Sequence, residues 1–131
     1  MGLFLIIGCA QAPDQKAKSS IEWTFDLTVA QEKALAENKP ILIDFYADWC
    51  SWCRRMDEET YGNPKVAELA KQFICVKIDT DKQPEVAKQY KVRGLPTTAF
   101  LSSKAKKIDI IAGYLPPEDF LKKMESALKA Q

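Results

Sequence analysis

The chain has 131 residues, enough for one domain with a single core and too few for two. Apolar residues make up 47% and charged residues 28%, the balance of an ordinary globular domain. Nineteen basic against 18 acidic side chains leave a net charge of +1, which gives no electrostatic footprint for nucleic acid. Histidine is absent, and this removes His-based acid–base catalysis, Ser-His-Asp and Cys-His nucleophile systems, and most zinc sites.

Residues 1–8 are almost wholly apolar and run into Cys9. Leu5-Ile6-Ile7-Gly8-Cys9 resembles a bacterial lipobox, in which the cysteine is lipidated and becomes the mature N-terminus. The stretch that follows is small and polar, the composition of a tether. Residues 1–20 are therefore read as a truncated lipoprotein signal plus flexible tether, with residues 21–131 as the folded domain. No Lys or Arg precedes Lys16, so a basic n-region is missing; the alternative is a frayed cytoplasmic N-terminus. The apolar run is too short to span a bilayer, which takes roughly 20 residues.

Ile21-Glu22-Trp23-Thr24-Phe25 alternates as a half-buried strand does. Thr28 with Gln31 reads as a capping box that opens a helix to about residue 38, ended by Pro40. Ile41-Leu42-Ile43-Asp44-Phe45-Tyr46-Ala47 has the nearly continuous apolar pattern of a central strand. A helix is predicted from near Cys50 through Glu59, interrupted by Tyr61-Gly62-Asn63-Pro64, after which Pro64 opens another to Leu69. Residues 73–78 read as a buried strand, and Asp81 and Pro84 mark a short helix ending near Tyr90. Residues 97–101 and 108–112 form a hairpin, and Pro116-Pro117-Glu118-Asp119 opens a last helix with Phe120, Leu121, Met124 and Leu128 on its apolar face. The order β-α-β-α-β-α-β-β-α predicts an α/β fold. Its central mixed sheet has parallel strands plus an antiparallel C-terminal hairpin, flanked by helices on both faces. Cys50 then falls at a carboxyl-end crevice of the sheet.

Of the four cysteines, only Cys50 and Cys53 form a close pair. At a helix start, unpaired backbone N–H groups and the helix dipole favour a thiolate on the first cysteine. In comparable motifs its pKa falls from about 8.5 to about 7, worth roughly 2 kcal/mol. Cys50 is thus the attacking thiol, and Cys53, one turn on, resolves the mixed disulfide. The alternatives are half of a metal site or two inert core cysteines. A zinc site needs about four ligands, and only Cys75 and Cys9 could join the pair, so no metal is expected. Trp49 and Trp52 flank the pair as an apolar surface for a partner, with core packing the alternative for Trp49.

Asp44 and Lys77 each break an apolar strand. If those strands are neighbours, the two lie behind the cysteines, and Asp44, its pKa raised by burial, can take the Cys53 proton. A structural ion pair, or an outward-pointing lysine, is the alternative. Pro96 opens a strand after Gly94-Leu95, where a trans bond is the default reading. Cys75 reads as a buried hydrophobe, with a regulatory thiol the alternative.

Asp44-Phe45-Tyr46-Ala47-Asp48-Trp49-Cys50-x-x-Cys53, then Lys77, then Gly94-Leu95-Pro96-Thr97, resembles the thioredoxin superfamily from about residue 21 to 129. Lys39-Pro40, Tyr46-Ala47-Asp48-Trp49-Cys50 and Glu59-Thr60-Tyr61 before Asn63-Pro64-Lys65-Val66 are most similar to the C-terminal thioredoxin-like domain of DsbD-type thiol:disulfide interchange proteins and their stand-alone lipoprotein relatives. The resemblance implies a thioredoxin fold, a cis Leu95–Pro96 bond and a backbone there that pairs with an extended substrate. It implies catalytic Cys50, Cys53, Asp44 and Lys77, substrate contacts at Trp49, Trp52, Leu95 and Pro96, and no cofactor beyond the Cys50–Cys53 disulfide.

Thioredoxin carries Gly-Pro between its cysteines, and the strong oxidants and isomerases of the superfamily often carry a His there. Ser51-Trp52 offers no cation, so a comparatively reducing centre is expected. The expected function is a thiol–disulfide oxidoreductase that reduces protein disulfides or relays electrons from an upstream thiol donor. It would be monomeric, extracytoplasmic, and anchored by lipid at Cys9. A disulfide isomerase, a non-catalytic binding module, and a cytoplasmic location are the alternatives.

Overall fold

The computed structural model describes residues 20–131; Cys9 and the lipobox run lie outside the described residues. The sheet is built around β2 (Ile41–Tyr46), every residue of which is buried except half-buried Tyr46. Its parallel neighbour is β3 (Ile74–Asp79), and β1 (Trp23–Thr24) adds parallel to the far side of β3. On the other side β4 (Thr97–Leu101) pairs antiparallel with β2, and β5 (Lys107–Ala112) antiparallel with β4. The five-stranded order is β1-β3-β2-β4-β5, the mixed sheet with a C-terminal hairpin that the sequence predicts.

The strand alternation divides the core into two layers. Ile41, Ile43, Phe45, Val76 and Ile78 meet α1 (Leu27–Glu37), with Val86 and Tyr90 from α4 (Pro84–Gln89) and its end packed against them. Leu42, Cys75 and Phe100 meet α2 (Ser51–Met56), α3 (Pro64–Ala70) and α5 (Pro117–Ala130) on the opposite face. There Tyr61 packs edge-on against both Trp23 and Phe120, with ring centroids 5.0 and 5.3 Å apart. Such aromatic pairs add to the area they bury.

Four local expectations are corrected. The first helix is capped by Asp26, whose carboxylate accepts the Val29 N–H at 3.1 Å, so Thr28 lies inside the helix. The chain leaves that helix at Asn38 in a left-handed conformation (φ 52°), two residues before Pro40. The helix after Cys50 does not run as α-helix to Glu59: it ends at Met56 and widens into a π-turn over Asp57–Tyr61. Gly62 follows that turn, where any Cβ would collide with the Glu58 carbonyl oxygen. The first strand is shorter than its alternating pattern, because only Trp23 and Thr24 reach β3.

The Asp26 cap makes a distinguishing prediction. Asp26→Ala lowers the stability of the folded protein by about 1 kcal/mol in urea titration, the usual worth of an N-cap. Thr28→Ala, at an exposed helical position, changes it by less than about 0.5 kcal/mol. The reverse order would return the cap to Thr28.

Candidate active site

Strand direction gathers the site. β3 is parallel to β2, and β5, antiparallel to an antiparallel neighbour, is parallel to it as well. The ends of β2, β3 and β5 and the start of β4 therefore share one sheet edge. The register pairs Tyr46 with Asp79, Phe45 with Thr97, and Thr97 with Ala112. The loops carrying Cys50, Asp81, Pro96 and Tyr114 consequently emerge side by side.

Cys50 is the N-cap of α2: its backbone is extended (φ −83°, ψ 106°) and its Sγ accepts the Cys53 N–H at 3.1 Å. The residue that caps the helix is thus also the first cysteine of the disulfide. Cys53 lies one turn on, and the two form a disulfide with a Cα–Cα separation of 5.2 Å. Both cysteines are buried, whereas Trp49 and Trp52 are 69% and 51% exposed. Core packing of Trp49 is thereby excluded. Its indole Nε1–H donates to Asp81 Oδ2 at 2.9 Å, which ties it to the loop after β3. Leu95 is half-buried and Pro96 buried; the bond between them is cis, and the Pro96 carbonyl accepts the Gly113 N–H at 2.8 Å.

Beneath the disulfide-bearing turn, Asp44 and Lys77 stand opposite each other in register, with Lys77 Nζ 2.6 Å from Asp44 Oδ2. The lysine also reaches Asp57 Oδ1, at 2.7 Å on the first residue of the π-turn. Its ammonium lies 4.8 Å from the Trp23 ring centroid, 4.9 Å from Tyr46 and 5.6 Å from Tyr61. Cation–π attraction of this kind holds a desolvated cation in place. Lys77 therefore points inward. Burial pushes the Asp44 carboxyl up to about 6, although Lys77 pulls the other way. Burial also opposes the charge of Lys77, yet Asp44 and Asp57 hold it above the ordinary lysine range.

On the other flank, Trp52 meets Tyr114 from the loop after β5, with ring centroids 5.6 Å apart. The Arg55 guanidinium lies 5.0 Å from the Trp52 centroid and 5.3 Å from that of Tyr114. Glu59 accepts from Arg55 Nε at 3.0 Å and from the Tyr114 hydroxyl. The hydrogen bond from Tyr114, followed by that from Arg55, holds the Glu59 carboxyl below its ordinary range.

Sequence reasoning missed Asp57, Asp81 and the Arg55–Glu59–Tyr114 group. Asp57 had a usable signal, because it lies four residues after Cys53 and so on the same helix face. Tyr114 had none, since it is brought in by the loop after β5. Cys75 is buried at the opposite end of β3, its Sγ 3.7 Å from the Ala70 carbonyl oxygen, and burial pushes its thiol up to about 12. A cavity of about 450 Å³ lined by Trp23, Lys39, Phe73 and Cys75 lies at that end too, away from the disulfide. Among the described residues, no group of three or more His, Cys, Asp or Glu is placed to hold a metal ion.

The edge-gathered loops, the capping disulfide and the buried ion pair define a thioredoxin-like oxidoreductase. The chain belongs to the thioredoxin-like domain family, which matches residues 27–128. Thioredoxin 1 of Nostoc sp. is 35% identical over 107 residues, covering 79% of this chain and 92% of the relative. The thiol:disulfide interchange protein DsbD of Vibrio vulnificus is 31% identical over 103 residues, 72% of this chain but only 17% of that much longer protein. A thioredoxin from Thermus thermophilus superposes with a TM-score of 0.75 at 26% identity, covering 83% of this chain and 88% of its own. The DsbH oxidoreductase shares the fold, with a TM-score of 0.75 at 24% identity over 93% of this chain and 94% of that one.

The raised Asp44 carboxyl makes a pH prediction. A rise from 3.8 to about 6 corresponds to about 3 kcal/mol. Because the folded value lies above the unfolded one, the stabilisation is fully present below pH 3.8 and is lost as pH rises through 6. Asp44→Asn never ionises and escapes that loss. Its stability relative to the wild type therefore improves by about 3 kcal/mol between pH 3.5 and 7.5 in urea unfolding of the oxidised protein. A difference independent of pH would show that Asp44 does not titrate in this window.

Proposed function

We propose that the protein is a reductase of protein disulfides, working through the Cys50/Cys53 dithiol and recharged by an upstream thiol donor. The observation that carries this reading is the Cys50–Cys53 disulfide at the N-cap of α2, with the buried Asp44 carboxyl, paired with Lys77 at 2.6 Å, in the strand that leads to it. In the reduced protein the Cys50 thiolate attacks one sulfur of a substrate disulfide. A Cys50–substrate mixed disulfide forms, and the first substrate thiolate leaves and takes up a proton. Cys53 then gives its proton to Asp44, by way of water where the two do not touch, and attacks the Cys50 sulfur. The Cys50–Cys53 disulfide closes, the second substrate thiolate leaves, and two electrons have passed to the substrate. Lys77 positions Asp44 and limits how far its affinity for protons rises.

Trp49 supplies an exposed apolar wall for the substrate segment, and Leu95 a backbone against which that segment can extend. Pro96, buried and bonded through its carbonyl to Gly113, supports that ledge from behind. No cofactor is required by this cycle. We place the protein outside the cytoplasm as a monomer tethered through a lipidated Cys9, on the strength of the lipobox-like run. Mass spectrometry of the Cys9 peptide from the native host tests that placement, and an unmodified Met1 terminus would refute it.

Reduction of insulin with dithiothreitol recycling is the direct assay. Cys50→Ser abolishes turnover, and Cys53→Ser accumulates a mixed disulfide through Cys50 that is visible on a non-reducing gel. Asp44→Asn slows resolution of that intermediate by roughly 100-fold, the scale of a lost general base, and flattens the rise in rate around pH 6. A reduction potential above about −150 mV, in the range of oxidants, would overturn the reductase direction. Efficient refolding of scrambled ribonuclease with weak insulin reduction would favour an isomerase.

A further inference from the structure

The Arg55–Glu59–Tyr114 group takes no part in the proton path, yet it is built around the residue beside the resolving cysteine. Trp52 is half exposed, and its ring is not packed into the core: it rests on Tyr114, with the Arg55 guanidinium against both rings. Glu59 supplies what keeps that stack together, pairing with Arg55 and accepting the Tyr114 hydroxyl. The guanidinium charge is met within the group by Glu59, and the half-exposed Trp52 ring is held beside that ion pair. The group is also continuous with the substrate ledge, because Gly113, next to Tyr114, donates its N–H to the Pro96 carbonyl. Trp49 is tied toward β3 by Asp81, and Trp52 toward β5 by Tyr114. The disulfide thus has an aromatic wall on each flank, each fixed by an acidic residue.

We propose that Glu59 is a positioning residue that holds Arg55 and Tyr114 against Trp52. The braced stack is then a second recognition wall, which selects protein disulfides whose cysteine is flanked by an apolar or aromatic side chain. This inference rests on the reductase reading above. A small disulfide without a polypeptide chain reaches the sulfurs but not the wall. Loosening the wall therefore costs affinity for protein substrates and leaves the chemistry alone.

Two substrates separate these effects. Insulin reduction with dithiothreitol recycling gives KM and kcat, and the rate at which hydroxyethyl disulfide oxidises the pre-reduced protein gives the bare thiol chemistry. Glu59→Ala is expected to raise the insulin KM about fivefold, the scale of one or two surface hydrogen bonds, with kcat and the hydroxyethyl disulfide rate within twofold of wild type. Glu59→Gln, which can still accept from Tyr114, recovers part of the loss. Tyr114→Phe keeps the ring but not its hydroxyl; it gives an independent reading should Glu59→Ala fail to fold, and its insulin KM rises as well. An insulin KM within twofold of wild type in the folded variants, or equal loss on both substrates, overturns the inference while the reductase reading stands. A wild-type protein that reduces neither substrate overturns both.

Discussion

Asp44 is buried in the strand around which the sheet is built, and Lys77 faces it because β2 and β3 run parallel with those two residues in register. An isolated carboxylate at such a depth is costly, and one removed from its partner is costlier still. The pairing therefore restricts how the two strands can align: a slip by one residue would set Asp44 opposite Val76 or Ile78 and break its pairing with Lys77. Lys77 carries the restriction further. Its second carboxylate partner, Asp57, begins the π-turn, and its aromatic neighbours come from β1, β2 and the end of that turn. One ammonium thus ties the backbone after Cys53 to the sheet.

That anchoring divides the site into two kinds of environment. Below the cysteines, charges are desolvated and matched, so proton affinities can be moved to useful values. Above them, Trp49 lies in the loop after β2, Trp52 in α2 and Tyr114 in the loop after β5; Trp49 and Tyr114 are held by surface hydrogen bonds to Asp81 and Glu59, and Trp52 rests on Tyr114. The lower part cannot change without unsettling the sheet. The upper part can vary while the fold persists, which is where differences in substrate choice among relatives of one fold are accommodated.

Much of this was legible before the structure. Asp44 and Lys77 stand out because each interrupts an apolar run, and the fold order that makes their strands neighbours follows from the β-α-β alternation. The hairpin strand Thr97–Leu101 lies where its pattern puts it. What escaped detection had physical reasons. Asp26 and Thr28 can both cap a helix, and only the backbone geometry decides between them. The π-turn leaves no mark in periodicity, since Met56, Thr60 and Tyr61 bury as a continuing helix would; its first residue, Asp57, is bonded to Lys77, 20 residues away. Tyr114 and Glu59, 55 residues apart, meet only once β5 has been laid beside β4.

The charges around the cysteine pair bear on the direction of electron flow. A centre becomes oxidising when its reduced form is favoured, and the strongest way to favour it is a cation beside the attacking thiolate. Ser51-Trp52 brings none between the cysteines, but Arg54 and Arg55 follow at once and might have served. The structure engages both elsewhere: Arg54 Nη1 donates to the Asp48 carbonyl at 2.7 Å, and Arg55 is paired with Glu59 and stacked on two rings. The hydrogen bond to Cys50 Sγ comes from a neutral donor, the Cys53 N–H. Lys77 is shared between two carboxylates. A thiolate supported in this way gains less than one facing a free cation, which is the argument that favours the proposed reductase direction.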